Sequence, residues 1–370
     1  MKLVIDKEQM PIEIFSTMGC RTANGADVNF TKEYYKENIK QILKNGKIDN
    51  SRLLSAAQKD GRGNICPATI ILPTLAMQCK KKFEKRGSEV VVNEFFKLLE
   101  SKIGECKDSL IERFNYICSQ PSKSASFMWE NNTMKGYVPS EGIVSAMKHG
   151  TLAIGKIGVA ETLHILIGKN HLTEEGMELA KRIEQMYVDK CNEYKKEYKL
   201  NFGIYETPAE SLCFTAMKKF QKKYGNIPNI SDRDYFTNSV HIPVWEEISP
   251  FEKIDKEGEL VPYSTAGSIT YVEINDEARN NEKGIEQIID YSMDKDIAYQ
   301  ALNLKNNYCK DCGFDQVPED TCPKCGSKNI FKPRRVTGYL TGDYRDAFNL
   351  GKQKECEDRF DHSSKLGWKK

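Results

Sequence analysis

Two short cysteine knuckles near the C-terminus constrain this chain more than any other feature. Each knuckle has the pattern C-x-x-C-G, at residues 309–313 and 322–326, and nine residues separate the second cysteine from the third. Four thiolates at this spacing can close a tetrahedral site around Zn²⁺, which leaves no open position for water or substrate. A glycine after each knuckle suits a turn that needs a positive φ. The sequence therefore predicts a structural zinc site, with the ligands Cys309, Cys312, Cys322 and Cys325.

Bulk composition gives no reason to expect a nucleic-acid or membrane partner. The 370 residues include 55 basic and 53 acidic side chains, for a net charge of +2. No apolar run reaches the roughly 18 residues of a transmembrane helix, and acidic residues come too early for a signal peptide. We therefore expect a cytoplasmic protein. Because cytosolic thiols stay reduced, the cysteines outside the knuckles are predicted to be mostly small apolar residues rather than disulfide partners.

Hydrophobic periodicity predicts alternating strands and helices, which is typical of an α/β fold. The predicted strands cover residues 67–77, 151–159, 239–245 and 267–274. The predicted helices cover residues 88–119, a stretch from 160, 173–200, 208–224 and 282–293. Composition changes near Asn303, and after it come the knuckles and a basic patch at Lys332, Arg334 and Arg335. We therefore predict a catalytic domain over residues 1–303, a zinc ribbon over 304–330 and a C-terminal loop and tail over 331–370.

A glycine-containing motif follows the knuckles closely. Residues 334–342 read Arg-Arg-Val-Thr-Gly-Tyr-Leu-Thr-Gly, which resembles the radical-bearing loop of glycyl radical enzymes. Earlier segments match one branch of those enzymes in the same order along the chain. They are residues 18–21 (Met-Gly-Cys-Arg), 61–64, 149–155, 158–163, 205–210 and 232–239. Together with the knuckles, these motifs resemble the large chain of the anaerobic (class III) ribonucleoside-triphosphate reductases.

This resemblance implies a fold and a radical mechanism. The fold would be part of a ten-stranded α/β barrel, with a finger loop threaded through its centre. Cys20 would sit on that loop as a neutral thiol, become a thiyl radical and remove a hydrogen atom from C3′ of a ribonucleotide. Gly338 would store the radical between turnovers and pass it to Cys20. Read without the family, Cys20 could be an ordinary core cysteine, and Gly338 a turn glycine.

Three further residues are candidates for binding the sugar or donating a proton as the 2′-hydroxyl leaves as water. The Asn64 amide can bind a sugar hydroxyl, and Tyr205 and Glu210 lie in the matching segment around Pro208. Glu210 could instead only cap the helix predicted to follow it.

The resemblance also implies partners. A separate radical-SAM activase, with a [4Fe–4S] cluster and S-adenosylmethionine, would install the glycyl radical. Formate or a dithiol would supply the reducing electrons, and the enzyme would form a homo-oligomer. Family members carry an N-terminal half before the finger loop, and no such half precedes Met18 here. We therefore expect either a split enzyme whose first half-barrel is another chain, or an inactive remnant.

Two other readings compete with this one. The first is a glycyl radical enzyme of the pyruvate formate-lyase type, whose finger carries two adjacent cysteines where Cys20 stands alone. The second is a non-enzymatic zinc-ribbon binding module on an α/β scaffold.

Overall fold

The computed structural model describes most of the chain. The described residues are 22, 24–30, 62–131, 133–134, 136–209, 211–275, 281–316, 318–336 and 339–366, with backbone alone at 336 and 339–341. The strands are β1 (Asn64–Ile71), β2 (Thr151–Ile157), β3 (Asn201–Glu206), β4 (Thr270–Ile274), β5 (Gln300–Leu304), β6 (Tyr308–Cys309), β7 (Ile330–Phe331), β8 (Pro333–Val336) and β9 (Tyr339–Asp343). The helices are α1 (Leu72–Phe83), α2 (Ser88–Cys118), α3 (Ser126–Glu130), α4 (Val144–Met147), α5 (Val159–Ile167), α6 (Glu174–Tyr198), α7 (Leu212–Tyr224), α8 (Pro250–Gly258), α9 (Glu282–Asp294), α10 (Tyr344–Ala347) and α11 (Leu350–Asp358).

The main sheet contains three parallel strands in the order β1-β2-β3. Parallel strands need crossover connections, and helices provide them here on one side of the sheet. Strand residues Leu152, Ile154, Phe202 and Ile204 join one large apolar core with buried residues of α2 and α6, such as Phe95. This core covers one face of the sheet and holds the strands in place.

A second parallel sheet, formed by β4 and β5, follows in the chain. A smaller core beneath it contains Ile254, Val272 and Ile288. A loop over residues 264–267 links this unit to the main sheet, because Ala266 N donates to Ile204 O at 2.8 Å and Glu206 N donates to Gly267 O at 3.0 Å. Strand β3 is therefore hydrogen-bonded to β2 along one edge and to this loop along the other.

The structure confirms the predicted helices over residues 88–119, 173–200 and 282–293. At the start of α6, Thr173 Oγ1 accepts a hydrogen bond from Gly176 N at 3.1 Å, as an N-cap residue does. Helix α5 lies between two glycines with positive φ, Gly158 at 76° and Gly168 at 73°. The predicted strand over residues 151–159 corresponds to β2.

Three predicted elements are corrected. The stretch 67–77 is not one strand, because β1 ends at Ile71 and α1 begins at Leu72, with a proline in the first turn, where its missing N–H costs nothing. Helix α7 begins at Leu212 rather than 208, after Ala209 adopts a φ of 52°. The predicted strand over 267–274 is shorter, since β4 begins at Thr270.

The predicted strand over residues 239–245 was wrong. The stretch is buried and apolar but runs through turns. Side chains replace the strand ladder: Glu257 accepts from Ile242 N at 3.0 Å, and the His171 ring lies 2.9 Å from Val240 O. Buried backbone groups need partners, but those partners need not be a neighbouring strand.

The C-terminal part packs back onto the rest of the molecule. The short strands β6, which ends at Cys309, and β7, which follows the second knuckle, pair antiparallel and so flank the knuckles, and β8 and β9 form a second antiparallel pair. Helix α11 then reaches α7, where Gly351 lies against Phe214, and Phe360 N donates to Val244 O at 2.8 Å. Strand β5 runs across the predicted boundary at residue 303. Among the described residues, no helix has the length and apolar character that a membrane span requires.

Candidate functional site

The predicted site residues divide into two groups. Cys20, Gly338 and Glu210 lie outside the described residues, so their roles remain predictions. Asn64, Tyr205 and the four knuckle cysteines are described.

Asn64 and Tyr205 belong to the face of the main sheet opposite the helices. Partners in a parallel register share a face, and the pairs are Thr151 with Asn201, Ala153 with Gly203, and Gly155 with Tyr205. Asn64 pairs with Thr151 on the next strand. This face is therefore lined by small and polar residues, unlike the aliphatic face that meets the helices. Small side chains on this face let another backbone segment approach the strands closely, and the polar side chains can bind a polar ligand.

The glycines on this face are needed for close approach. A Cβ at Gly155 would lie 2.0 Å from Thr207 Oγ1 and 2.9 Å from Tyr205 O. A Cβ at Gly203 would lie 2.9 Å from the Ala266 Cβ. The loop over residues 264–267 therefore rests directly on the strand backbone.

Ala266 brings the two described candidates together. Asn64 Nδ2 donates to Ala266 O at 2.9 Å, and the Tyr205 side chain packs with Ala153 and Ala266. Asn64 Oδ1 and the neighbouring Thr151 Oγ1 are buried and have no hydrogen-bond partner among the described residues. Buried polar atoms normally find a partner. These two oxygens are thus suited to bind a hydroxyl-bearing ligand.

A buried charged cluster supports the sheet from its helix side. Lys156 Nζ lies 2.7 Å from the Glu184 carboxylate and 2.9 Å from the Glu206 carboxylate, and all three side chains are buried. Burial raises the pKa of Glu184 to about 7, and Lys156 opposes this rise. Burial alone would lower the pKa of Lys156, but the two carboxylates raise it above its usual value. The Lys156 ammonium therefore balances the charge of one of the two carboxylates. Protonation of Glu184 would remove the remaining negative charge of the cluster.

The described residues of the glycine motif lie on the antiparallel strands β8 and β9. The two strands are paired as far as Val336 and Tyr339, the residues on either side of Thr337 and Gly338. Arg359 is bonded to strand β8, because its Nη1 donates to Arg335 O at 2.8 Å.

The four knuckle cysteines form a compact cluster. All their Sγ atoms lie within 4.8 Å of one another, and Cys309–Cys325 and Cys312–Cys322 are each 3.6 Å apart. Tetrahedral Zn²⁺ with Zn–S bonds of about 2.3 Å would place its sulfurs about 3.8 Å apart. The four residues therefore fit zinc.

Local backbone geometry prepares this cluster for a metal. Gly313 and Gly326 both have φ of 72°, as the sequence predicted for the knuckle turns. Burial tends to raise the pKa of the Cys309 thiol, but N–H groups of Cys312 and Asp311, together with the thiols of Cys325 and Cys312, donate to its sulfur and lower the pKa to about 7. Thiolate is the metal-binding form, so these donors favour metal binding.

Comparison with known proteins gives the family. A family model described as anaerobic ribonucleoside-triphosphate reductase matches residues 2–362. The chain belongs to this family. Curated relatives with that name include the proteins of Escherichia coli, 29% identical over 320 residues, and of Enterobacteria phage T4, 30% identical over 318 residues. Each match covers 82% of this chain, but only 43% and 49% of the respective relative. The chain thus spans about half the length of the curated relatives it matches.

Solved structures of this family share the fold. The anaerobic ribonucleotide reductase from Thermotoga maritima with glycerol in the active site matches 80% of this chain and 44% of its own, with a TM-score of 0.60 and 20% identity. The same enzyme in complex with dATP and CTP gives a TM-score of 0.61 at 19% identity, over 81% of this chain and 46% of its own. The mixed α/β fold therefore corresponds to part of these structures.

Sequence reasoning missed several residues that shape the site. Ala266 and its loop carry no motif. Lys156 falls within a strand that otherwise reads as apolar. Thr151 belongs to the segment 149–155 that resembles the reductase family. Only the strand register, however, shows that it lies beside Asn64.

Proposed function

We propose that this chain is the catalytic half of an anaerobic ribonucleoside-triphosphate reductase, which reduces ribonucleoside triphosphates to deoxyribonucleoside triphosphates. The observation that carries the proposal is the family match over residues 2–362, because it spans both Cys20 and Gly338. It favours this reading over a pyruvate formate-lyase type of enzyme and over a zinc-ribbon binding module.

The proposed chemistry divides the work between two residues. Gly338 holds the unpaired electron between turnovers. At the start of each cycle its Cα takes the hydrogen atom of the Cys20 thiol, so a C–H bond forms as the S–H bond breaks and a thiyl radical is left on Cys20. The thiyl radical removes the hydrogen atom from C3′ of the substrate, so the S–H bond forms as the C–H bond breaks. The 2′-hydroxyl then leaves as water after it accepts a proton. Two electrons from formate or a dithiol, with a second proton that forms the new C2′–H bond, complete the reduction. The Cys20 thiol then returns its hydrogen atom to C3′, and the resulting thiyl radical takes the hydrogen atom back from Gly338.

Asn64 and Tyr205 are proposed to bind the sugar. Asn64 is fixed by its bond to Ala266 O, which leaves its buried Oδ1 for a ribose hydroxyl. Tyr205 is buried on the same face and closes the site against the 264–267 loop. Glu210, a few residues beyond β3, is proposed as the proton donor to the leaving hydroxyl.

Zinc is proposed to have a structural role. Four cysteines leave no open position on the metal, so zinc would hold the fold of residues 309–326. That segment leads directly into β8 and β9, the strands on either side of Gly338. We propose, as predicted from the sequence, that residues 304–330 form a zinc ribbon and residues 331–370 a separate unit with the radical loop and the tail.

A companion polypeptide is proposed to complete the barrel. The chain spans about half of its relatives, and β1 is the terminal strand of the main sheet in the described part of the chain. Parallel sheets are usually covered at their faces, and open strand edges tend to pair. A parallel strand from an N-terminal half-barrel would pair with β1. The enzyme would work as a homo-oligomer in an oxygen-free cytoplasm, after activation by a radical-SAM enzyme.

Anaerobic reconstitution tests this function. The chain is incubated with a family activase, S-adenosylmethionine and a reductant, with and without an N-terminal half-barrel chain. Deoxynucleotide formation is then measured. We expect product with the companion present and an electron paramagnetic resonance (EPR) doublet that Gly338→Ala abolishes. A wild-type protein that forms no radical and no product in either mixture would contradict the proposal.

A further inference from the structure

The short segment Asn24–Phe30, just after Cys20 in the sequence, lies at the amino-terminal ends of the three parallel strands. Its apolar side chains are poorly buried: Ala26 is exposed, Val28 is 43% exposed and Phe30 is only half-buried. Hydrophobic burial therefore cannot be the main force that holds it. Hydrogen bonds to residues that immediately precede or begin β1, β2 and β3 hold it instead.

Asp27 is the centre of this network. Its carboxylate is fully buried and lies 2.7 Å from His149 Nδ1. It also accepts hydrogen bonds from Asn201 Nδ2 at 2.8 Å and from Asn29 N at 2.9 Å. Asn201 completes a reciprocal contact, because its Oδ1 accepts from Val28 N at 2.8 Å. A buried carboxylate with several donors is a strong and geometrically specific anchor.

Arg62 is a second anchor beside the first. Its Nε donates to His149 O at 2.5 Å and its Nη1 donates to Gly25 O at 2.6 Å. Asn24 Nδ2 in turn donates to Arg62 O at 3.1 Å. The side chain is almost fully buried, so the guanidinium charge is available to the Asp27 carboxylate at low local dielectric.

Asn29 fixes the far end of the segment. Its Nδ2 donates to Lys148 O at 2.8 Å and to Lys199 O at 2.9 Å, and these residues precede β2 and β3. The segment is therefore tied at both ends and in its middle, and its position relative to the sheet is fixed.

We propose that Asp27 and Arg62 are positioning residues for the chemistry of Cys20, because they fix the segment Asn24–Phe30, which follows Cys20 in the sequence, against the amino-terminal ends of the main sheet. This inference rests on the proposed function. Four peptide units separate Cys20 from Asn24, a reach of at most about 14 Å. Arg62, which binds this segment, is two residues from Asn64. A hydrogen-atom transfer needs the reacting atoms near contact, so small displacements cost much of the rate.

The test compares Asp27→Asn with a matched exposed control, Asp290→Asn on α9. Hydrogen–deuterium exchange of the peptide that covers residues 22–30 is measured on the full chain with its companion. Glycyl radical yield by EPR and deoxynucleotide formation are measured on the same samples. For Asp27→Asn we expect at least about tenfold faster exchange and about tenfold slower turnover, at an unchanged radical yield. Asp290→Asn should change none of the three.

Arg62→Lys provides a second variant, since lysine keeps the charge but cannot span His149 O and Gly25 O together. It should give the same pattern to a smaller degree. Unchanged exchange at 22–30 in both variants would overturn the anchoring, whether or not the wild type reduces nucleotides. Faster exchange with normal turnover would overturn the link to Cys20. A parallel loss of radical yield and turnover would show a general structural role and also overturn the proposal.

Discussion

At the scale of single residues, the knuckle cysteines give the most direct prediction. Cys322→Ser removes one of the four sulfurs of the knuckle cluster, and a hydroxyl is a poor substitute for a thiolate ligand. Zinc content, measured by mass spectrometry of the purified chain, should fall from about one ion per chain to near zero. Radical yield should fall with it, because strands β8 and β9 follow the ribbon.

Cys356→Ser is the matched control, because Cys356 lies on α11 outside the metal cluster. It should keep its zinc. A Cys322→Ser protein that retains a full complement of tightly bound zinc would contradict the four-cysteine assignment.

The buried Glu184 carboxyl predicts a pH dependence of stability. Its pKa is raised to about 7 in the folded protein, against an ordinary value of 4.5. A raised pKa means that the folded state binds the proton more tightly, so the stabilisation is complete below about pH 4.5 and is lost as pH rises through 7. The free energy of unfolding should therefore fall over this range. Burial also raises the pKa of Glu161, to about 6, and this adds to the same slope.

Glu184→Gln should flatten part of that slope, as measured by urea unfolding at a series of pH values. Glu178→Gln, on the exposed side of the same helix, is the control and should leave the slope unchanged. An identical slope in wild type and Glu184→Gln would show that Glu184 does not titrate in this range.

At the scale of elements, the close packing on the polar face of the sheet depends on Gly155. An added Cβ would meet Thr207 Oγ1 at 2.0 Å and the Tyr205 carbonyl at 2.9 Å, so the backbone would have to shift. Gly155→Ala should lower the free energy of unfolding by about 1–3 kcal/mol. Gly104→Ala, in the middle of α2, meets only the Tyr194 hydroxyl at 3.9 Å and should be stabilising by up to about 1 kcal/mol. Equal effects of the two substitutions would contradict the packing.

The pairing of β8 with β9, which carry the described residues of the glycine motif, depends on Arg359. Its side chain is 8% exposed, bonds to Arg335 O, and lies 3.5 Å from Glu273 and 3.3 Å from Glu355. Lysine cannot make all three contacts, so Arg359→Lys should speed hydrogen exchange in residues 333–343 by about tenfold. Zinc content should not change. Arg113→Lys, exposed on α2, is the control, and unchanged exchange in Arg359→Lys would refute the anchoring role.

The elements also show how far the sequence alone could reach. Long periodic stretches such as α2 and α6 were predicted almost to their ends, because helix periodicity and the Thr173 cap are local signals. The stretch 239–245 was predicted as a strand since it is apolar, yet Glu257 and His171 satisfy its backbone from elsewhere in the chain. Only the folded structure supplies such distant partners.

At the scale of the whole molecule, sequence could predict the part of the site whose residues lie close together in the chain. The cysteine spacing and the glycines after it led to the metal cluster. Asp27, Arg62 and Asn201 lie up to 174 residues apart and form a network that no local pattern reveals. The pairing of Asn64 with Thr151 likewise depends on strand register, and the contact proposed between Cys20 and Gly338 remains a prediction.

The proposed radical chemistry depends most on the separate roles of Gly338, which stores the radical, and Cys20, which uses it on the substrate. The decisive measurement is deoxynucleotide formation by the Cys20→Ser protein, activated with its companion and carrying a glycyl radical verified by EPR. We predict a full doublet with no product above background, because the radical is stored but cannot reach C3′. Product formed at the wild-type rate by that radical-bearing variant would contradict the account.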